Sequence, residues 1–166
     1  GLHESMALQR DHEWRHRETV ATHRTSALVI GTGGIGRAIA KLLRAVGVRV
    51  VGAGRTARDS DPDFGHVVAT DDLAAQVGGF DTVVAIAPLT EQTRNILSRE
   101  NLAKLKRGAR LINCARGGLV DEAAVAAARA AGRYALFEES VEFLLRLDEI
   151  GNGRLVVVVV AHEDRK

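Results

Sequence analysis

Three glycines near residue 30 have the spacing of a turn that could bind phosphate. Gly31, Gly33 and Gly36 fit G-x-G-x-x-G, in which the first glycine permits a tight turn, the second admits a pyrophosphate and the third allows close packing. The apolar run Ala27-Leu-Val-Ile30 before them predicts a buried strand, and the apolar period that begins at Ile35 predicts a helix. The positive end of such a helix attracts phosphate. The pattern predicts a dinucleotide-binding turn, and a purely structural turn is the alternative.

The segment after the second predicted strand, Val48–Val51, lacks the acidic residue that holds the ribose of NAD. Such an Asp or Glu usually lies about 20 residues beyond the first glycine, but here Gly54, Arg55 and Thr56 occupy that part of the chain. No carboxylate lies between the strand and Arg58, so Arg55, with Arg58 as a second candidate, could bind a 2′-phosphate. We therefore expect a preference for NADP, with NAD as the alternative. Ordinary solvated loop arginines are the competing interpretation.

Short apolar runs alternate with helical patterns along the chain, which is typical of a parallel sheet covered by helices. Further strands are predicted at 82–86, 109–113 and 155–160, and further helices at 71–77, 99–106 and 121–131, the last capped by Asp121. The expected fold class is α/β, a doubly wound parallel sheet of Rossmann type. We expect a polar N-terminal arm at 1–25, a dinucleotide-binding domain at 26–162 and a tail at 163–166. Residues 133–152 could form a strand, a helix or one of each.

Composition excludes several classes of function. The chain has 166 residues, a net charge of +2 and 46% hydrophobic residues, as expected for one globular domain. So small a net charge argues against nucleic acid as a partner. The longest apolar run, Leu155–Ala161, is too short to cross a bilayer, and we expect a cytoplasmic protein without a membrane partner. The single cysteine, Cys114, excludes an intramolecular disulfide and a thiolate zinc site.

The sequence His12-Glu-Trp-Arg-His16 matches the zinc motif H-E-x-x-H. On a helix this spacing presents two histidines to the metal, with Glu13 as general base. Charged residues surround the motif here, whereas a zinc protease buries its helix in an apolar wall and adds a third ligand. We therefore predict no metal site and keep zinc binding as a minor alternative.

Two longer strings follow the third and fourth predicted strands and are more specific. Ala87-Pro-Leu-Thr-Glu-Gln-Thr-Arg-Asn-Ile-Leu97 and Leu111-Ile-Asn-Cys-Ala-Arg-Gly-Gly-Leu-Val-Asp121, with the glycine turn, resemble the D-isomer-specific 2-hydroxy-acid dehydrogenases. Gly54-Arg55-Thr56 is similar to the NADPH-preferring glyoxylate/hydroxypyruvate reductase branch. The resemblance extends from about Ala27 to Gly132. It implies an oxidoreductase that transfers hydride between NADP(H) and a small 2-oxo or 2-hydroxy acid.

The resemblance also implies roles for individual residues. Arg116 lies where the family has the arginine that binds the substrate carboxylate and polarises the carbonyl. His162 lies where the family has its proton donor. The carboxylate partner of that histidine is Glu142 by its spacing, or Glu138 or Glu139 by the local sequence. The residues expected to contact the cofactor are Gly31, Gly33, Gly34, Ile35, Gly36, Arg55, Thr56, Ala87, Pro88, Thr93, Cys114 and Ala115.

The chain departs from the family in its length and in one motif. Family members carry a second domain, built from both chain ends, that closes over the substrate, and this chain lacks it, so we expect a truncated protein. The family segment that carries the partner carboxylate is replaced by Ala135-Leu-Phe-Glu-Glu-Ser140. A bare cofactor domain binds nucleotide but does not exclude water from the reaction. The alternative function is therefore a non-catalytic nucleotide-binding or dimerisation module, and relatives also suggest a homodimer.

Overall fold

A six-stranded sheet forms the centre of the described part of the chain. The computed structural model describes residues 2–16, 20–106, 109–130, 135–136 and 160–161. The strands of the main sheet are β1 (Ser26–Ile30), β2 (Arg49–Gly54), β3 (Arg58–Asp61), β4 (Gly65–Ala69), β5 (Thr82–Ala85) and β6 (Arg110–Asn113). The helices are α1 (Leu2–Arg10), α2 (Gly34–Ala45), α3 (Leu73–Gln76), α4 (Arg99–Ala103) and α5 (Glu122–Ala130). A separate pair consists of β7 (Ala135–Leu136) and β8 (Val160–Ala161).

The strand order is β3-β4-β2-β1-β5-β6, and every neighbouring pair is parallel except β3 with β4. The chain proceeds outward from β1 through β2 to β4, and then crosses back to β5 and on to β6. The direction of winding therefore reverses between β1 and β5. This topology confirms the predicted doubly wound Rossmann-type fold.

Strand β1 has no solvated face, and its five residues are all buried. One group of apolar side chains, which includes Leu28, Ile30 and Leu111, packs on one side of the sheet. A second group, which includes Val29 and Phe64, packs on the other. Burial on both faces explains why the central strands are almost continuously apolar in sequence.

Strand β2 runs three residues beyond its predicted end at Val51. A Cβ on Gly52 would lie 3.0 Å from the ring of Phe64, and a Cβ on Gly54 would lie 2.9 Å from Thr32 Oγ1. These glycines therefore serve close packing and do not end the strand. The β3–β4 hairpin that follows was not predicted, because its sequence is dominated by aspartates and turn residues.

The remaining elements differ from expectation mainly at their ends. Asp121 caps α5 as predicted, since its Oδ1 accepts a hydrogen bond of 2.8 Å from the backbone N–H of Ala124. The predicted helix at 71–77 is α-helical only in α3 and has 3₁₀ turns on both sides. Of the strand predicted at 155–160, only Val160 is described. It pairs antiparallel with Leu136 in the separate two-stranded sheet, so the described residue does not extend the parallel sheet.

The arm before β1 contains a helix that its polar sequence did not predict. Helix α1 ends at Arg10, and His12 has a φ of 56°, so the H-E-x-x-H residues do not share a helix face. No group of three or more candidate metal ligands occurs among the described residues. None of the described helices is long and apolar enough to cross a membrane.

An ion-pair cluster attaches the turn between β3 and β4 to helix α2. The Arg37 guanidinium donates to both carboxylate oxygens of Asp61, at 3.0 and 3.1 Å, and to Asp63 at 2.7 Å. Arg44 donates to the Asp63 carbonyl at 2.9 Å. The Asp61 side chain is 3% exposed, and its Oδ1 also accepts from the N–H groups of Asp63 and Phe64. The hydrogen bonds from Arg37 hold the pKa of Asp61 far below its usual range, although burial opposes them.

Replacing Asp61 with Asn should lower the free energy of unfolding by roughly 2 kcal/mol near neutral pH, because Arg37 loses a charged partner. Since the folded pKa of Asp61 lies below its unfolded value of about 3.9, the stabilisation is present above that value. It is lost as pH falls through the folded pKa. The stability difference between wild type and Asp61→Asn should therefore shrink as pH falls, which urea unfolding measures.

The control is Asp59→Asn in the same hairpin. The Asp59 side chain is 89% exposed and contacts only His66 among the described residues, so this change should have little effect. A difference between wild type and Asp61→Asn that stays constant from about pH 6 to about pH 3 would contradict the assignment.

Candidate cofactor and substrate site

The predicted site residues converge on one edge of the sheet. The parallel strands β2, β1, β5 and β6 are neighbours, and their carboxyl ends lead into Arg55, Gly31, Ile86 and Cys114. The edge includes the point between β1 and β5 where the winding reverses. In open α/β sheets, ligands bind in the crevice at this point.

The glycine turn lies directly against the chain that leaves β5. Gly31 has a φ of 118°, and a Cβ there would lie 2.7 Å from the nitrogen of Ala87 and 2.9 Å from the carbonyl carbon of Ile86. A Cβ on Gly36 would overlap the carbonyl oxygen of Gly31. Two of the three glycines are therefore required by backbone packing, as the sequence pattern predicts.

The other part of the turn faces open space. A Cβ on Gly33 or Gly34 would meet no atom within 4 Å. Gly33 is the N-cap of α2, and no side chain of the described residues caps this helix end. The first N–H groups of α2, including those of Ile35 and Gly36, have no partner within the helix. These N–H donors lie at the positive end of the helix, and the glycines leave free space beside them. A pyrophosphate fits such a position.

The end of β2 presents one free arginine. Arg55 and Thr56 are exposed, and Arg55 has no ion pair with any residue that the structure describes. Arg58, the second candidate, is 3.3 Å from Asp61 Oδ2. The first carboxylate after β2, that of Asp59, contacts His66 Nδ1 at 2.7 Å. The geometry therefore favours Arg55 over Arg58 as the cation for a 2′-phosphate.

The loop after β5 is held by Thr93. Its hydroxyl donates to the Pro88 carbonyl at 2.6 Å and accepts from the backbone N–H of Thr90 at 2.8 Å. Ala87 is buried against Gly31, whereas Pro88 is exposed. Thr93 therefore shapes the loop that would run beside a bound cofactor.

The loop after β6 begins with a buried asparagine that sequence reasoning missed. Asn113 is 0% exposed, its Oδ1 accepts from the N–H of Ala115 at 3.1 Å, and its Nδ2 donates to the carbonyl of Arg116 at 3.0 Å. The available signal was a single polar residue at the end of an apolar strand. Cys114 is half-buried, and burial raises the pKa of its thiol, which keeps it neutral near pH 7.

The side chain of Arg116 is exposed and has no hydrogen bond or ion pair with the described residues. Backbone bonds join its loop to the loop after β5. The N–H of Asn95 donates to the Gly118 carbonyl at 2.8 Å, and that of Leu97 to the Leu119 carbonyl at 3.0 Å. These bonds join the two loops into one unit at the sheet edge. The unpaired guanidinium of Arg116 belongs to this unit, and β5, the strand before the first of these loops, is also a neighbour of β1, the strand before the glycine turn.

Two predicted catalytic residues cannot be placed. His162 and Glu142 lie outside the described residues, as do the alternative partners Glu138 and Glu139. Arg116 and the residues expected to contact the cofactor all lie at the carboxyl edge of the sheet or in the loops that leave it.

Comparisons with known proteins agree with this geometry. Residues 1–138 match the family model "D-isomer specific 2-hydroxyacid dehydrogenase, NAD binding domain". A 2-hydroxyacid dehydrogenase A from Aspergillus oryzae is 40% identical over 105 residues, which is 63% of this chain and 29% of that protein. The chain thus spans less than a third of this curated relative.

Two solved structures have the same fold. A D-isomer specific 2-hydroxyacid dehydrogenase from Xanthobacter autotrophicus Py2, in complex with NADPH and MES, is 33% identical with a TM-score of 0.69, over 80% of this chain and 54% of that one. An NADPH-dependent glyoxylate/hydroxypyruvate reductase from Sinorhizobium meliloti, in complex with NADP and sulfate, is 30% identical with a TM-score of 0.69, over 78% and 42%. The chain therefore belongs to the D-isomer specific 2-hydroxyacid dehydrogenase family, within its NAD-binding domain.

Proposed function

We propose that the chain binds NADP(H) in preference to NAD(H), and that the reaction of its parent enzyme is hydride transfer between this cofactor and a small 2-oxo or 2-hydroxy acid. The observation that carries the proposal is the shared sheet edge. An uncapped helix N-terminus lies behind the glycine turn that follows β1, and an unpaired arginine, Arg116, lies in the loop that follows β6 at the same edge, with β5 between the two strands. The first feature suits a pyrophosphate and the second a carboxylate.

Each residue has one task in the proposed reaction. The dihydronicotinamide supplies the hydride. Arg116 binds the carboxylate of the oxo acid and polarises its carbonyl, because a planar guanidinium donates two parallel hydrogen bonds. His162 gives a proton to the oxygen that becomes the hydroxyl, and Glu142 holds that imidazole protonated. These roles come from the family resemblance, and those of His162 and Glu142 concern residues outside the described ranges.

The NADP preference rests on charge at the end of β2. A 2′-phosphate needs a cation and the absence of an unpaired carboxylate. Arg55 supplies the cation, while Asp59 and Asp61 are occupied by His66 and Arg37. Both solved relatives described above contain NADPH or NADP, which supports the same choice.

A homodimer remains a prediction from the resemblance. Helix α2 and its C-cap residue carry three large apolar side chains that stay exposed, those of Ile35, Leu42 and Val46. They follow one side of the helix, since residues seven and eleven positions apart share a face. This stripe is a suitable surface for a second copy of the chain.

The glycine turn can be tested with two matched substitutions. Gly33→Ala should fold normally, because its Cβ meets open space, but it should weaken NADPH binding at least about tenfold by occupying the phosphate position. Gly36→Ala should instead lower the melting temperature strongly, because its Cβ overlaps the Gly31 carbonyl. Thermal unfolding and NADPH titration measure the two effects. Unchanged NADPH affinity in folded Gly33→Ala would contradict pyrophosphate binding here.

Cofactor choice is tested at Arg55. Arg55→Ala should raise the Kd for NADPH about tenfold and change that for NADH by less than about twofold, since only NADPH carries the 2′-phosphate. Arg110→Ala is the control, because Arg110 is exposed at the start of β6, on the opposite edge of the sheet. Equal or tighter binding of NADH by the wild-type chain would exclude the NADP assignment.

The reaction is tested with hydroxypyruvate or glyoxylate and NADPH, followed by the absorbance of the reduced cofactor. Arg116→Ala should reduce turnover by about two to three orders of magnitude, as for loss of one transition-state donor, while NADPH affinity stays within about twofold. Tight NADPH binding without turnover in the wild-type chain would favour the alternative, a nucleotide-binding module.

A further inference from the structure

We propose that Asn113 is a positioning residue for Arg116, so that the direction of the substrate-binding guanidinium is set by the amide of its neighbour on β6. The inference rests on the proposed function, because it concerns binding of the 2-oxo acid carboxylate. It assigns a role to a buried side chain that touches neither substrate nor cofactor.

The amide of Asn113 connects the rigid sheet to the turn that carries Arg116. Asn113 pairs with Ala85 in the β5–β6 ladder, and the next N–H, of Cys114, donates to the Ala85 carbonyl at 2.9 Å. From this fixed base, the side chain reaches forward to Ala115 and Arg116. Its position is therefore determined by the core of the domain.

The two partners require an asparagine. The Ala115 N–H is a donor and must meet the amide oxygen, whereas the Arg116 carbonyl is an acceptor and must meet the amide nitrogen. An aspartate would place an acceptor against the Arg116 carbonyl. A serine hydroxyl both donates and accepts, but its shorter side chain ends before the positions that the amide oxygen and nitrogen occupy. In a fully buried position, either change leaves a polar group unsatisfied.

Asn113 provides the one side-chain hydrogen bond that the described structure shows to the backbone of Arg116. The Arg116 guanidinium has no partner there, so its direction follows from the backbone, which has φ −116° and ψ 143°. The Arg116 carbonyl accepts from Asn113 on one side and from the Leu119 N–H, at 3.1 Å, on the other. Removing the Asn113 bond leaves this carbonyl with the Leu119 hydrogen bond alone, so the orientation of the peptide after Arg116 is less constrained.

The test uses oxalate as a carboxylate probe on the NADPH-saturated full chain. The Arg116 Nε resonance is assigned by its loss in Arg116→Lys, and oxalate affinity is read from its shift by NMR. Asn113→Asp should raise the oxalate Kd about tenfold or more, since a misaligned guanidinium loses one of its two hydrogen bonds. Asn113→Ser should act in the same direction and serves where Asn113→Asp does not fold.

The matched control is Asn101→Asp. Asn101 Nδ2 also donates to a backbone carbonyl, that of Ile96, at 2.8 Å, so the change removes the same kind of bond from the segment before α4 and leaves both Asn113 bonds to the Arg116 turn in place. It should lower the melting temperature but leave oxalate affinity within about twofold.

The outcomes separate the two proposals. Weak oxalate binding in the Asn113 variants with normal binding in Asn101→Asp supports the positioning role. Normal binding in the Asn113 variants, or equal weakening in Asn101→Asp, overturns it and leaves the proposed function standing. A wild-type NADPH complex whose Arg116 resonance does not respond to oxalate overturns the substrate role of Arg116 and the positioning role together.

Discussion

The rest of the site depends on one backbone contact, in which the glycine turn after β1 packs directly against the segment that leaves β5. Gly31 lies so close to Ile86 and Ala87 that no side chain fits between them, and Gly36 lies even closer to the carbonyl of Gly31. Three segments, the end of β1, the start of α2 and the exit from β5, therefore meet at one point. Only this approach brings the helix N-terminus to the sheet edge where Arg116 also emerges. The glycines are thus first a packing requirement, and the space beside Gly33 is its consequence.

The rotation of helix α2 about its own axis must also be fixed, and charged side chains fix it. Arg37, Lys41 and Arg44 lie on one side of the helix and all contact the turn at 61–64. Because this cluster uses Asp61 and Asp63, neither carboxylate of the β3–β4 turn is left unpaired. The hairpin thereby decides which arginine stays available, since Arg58 is drawn to Asp61 while Arg55 is left unpaired. One cluster therefore holds the helix and pairs one of the two arginines that follow β2.

The sequence predicted what depends on local pattern and missed what depends on distant partners. Strands β1, β5 and β6 are buried on both faces and therefore read as apolar runs, and the Asp121 cap acts within three residues. The last three residues of β2 were not predicted, because glycines such as Gly52 and Gly54 are typical of a turn. Their role is to make room for Phe64 and Thr32, which are distant in sequence. The pairing of Arg37 has no local signal, since its partner Asp61 is 24 residues away. Asn113 was missed for a related reason, because its role appears only when the following turn folds back upon it.

The arginines of the described structure show how the chain separates stability from binding. Arg37 gives three hydrogen bonds to the carboxylates of Asp61 and Asp63, and its charge is therefore used within the fold. Arg55 and Arg116 have no such partners and are exposed, which makes them available but leaves them without a fixed direction. Precision at these positions must therefore come from the backbone. At Arg116, hydrogen bonds between the loops after β5 and β6 hold the backbone, and the buried Asn113 side chain adds two more bonds to the turn. The unpaired guanidinium of Arg116 therefore extends from a well-held segment of backbone.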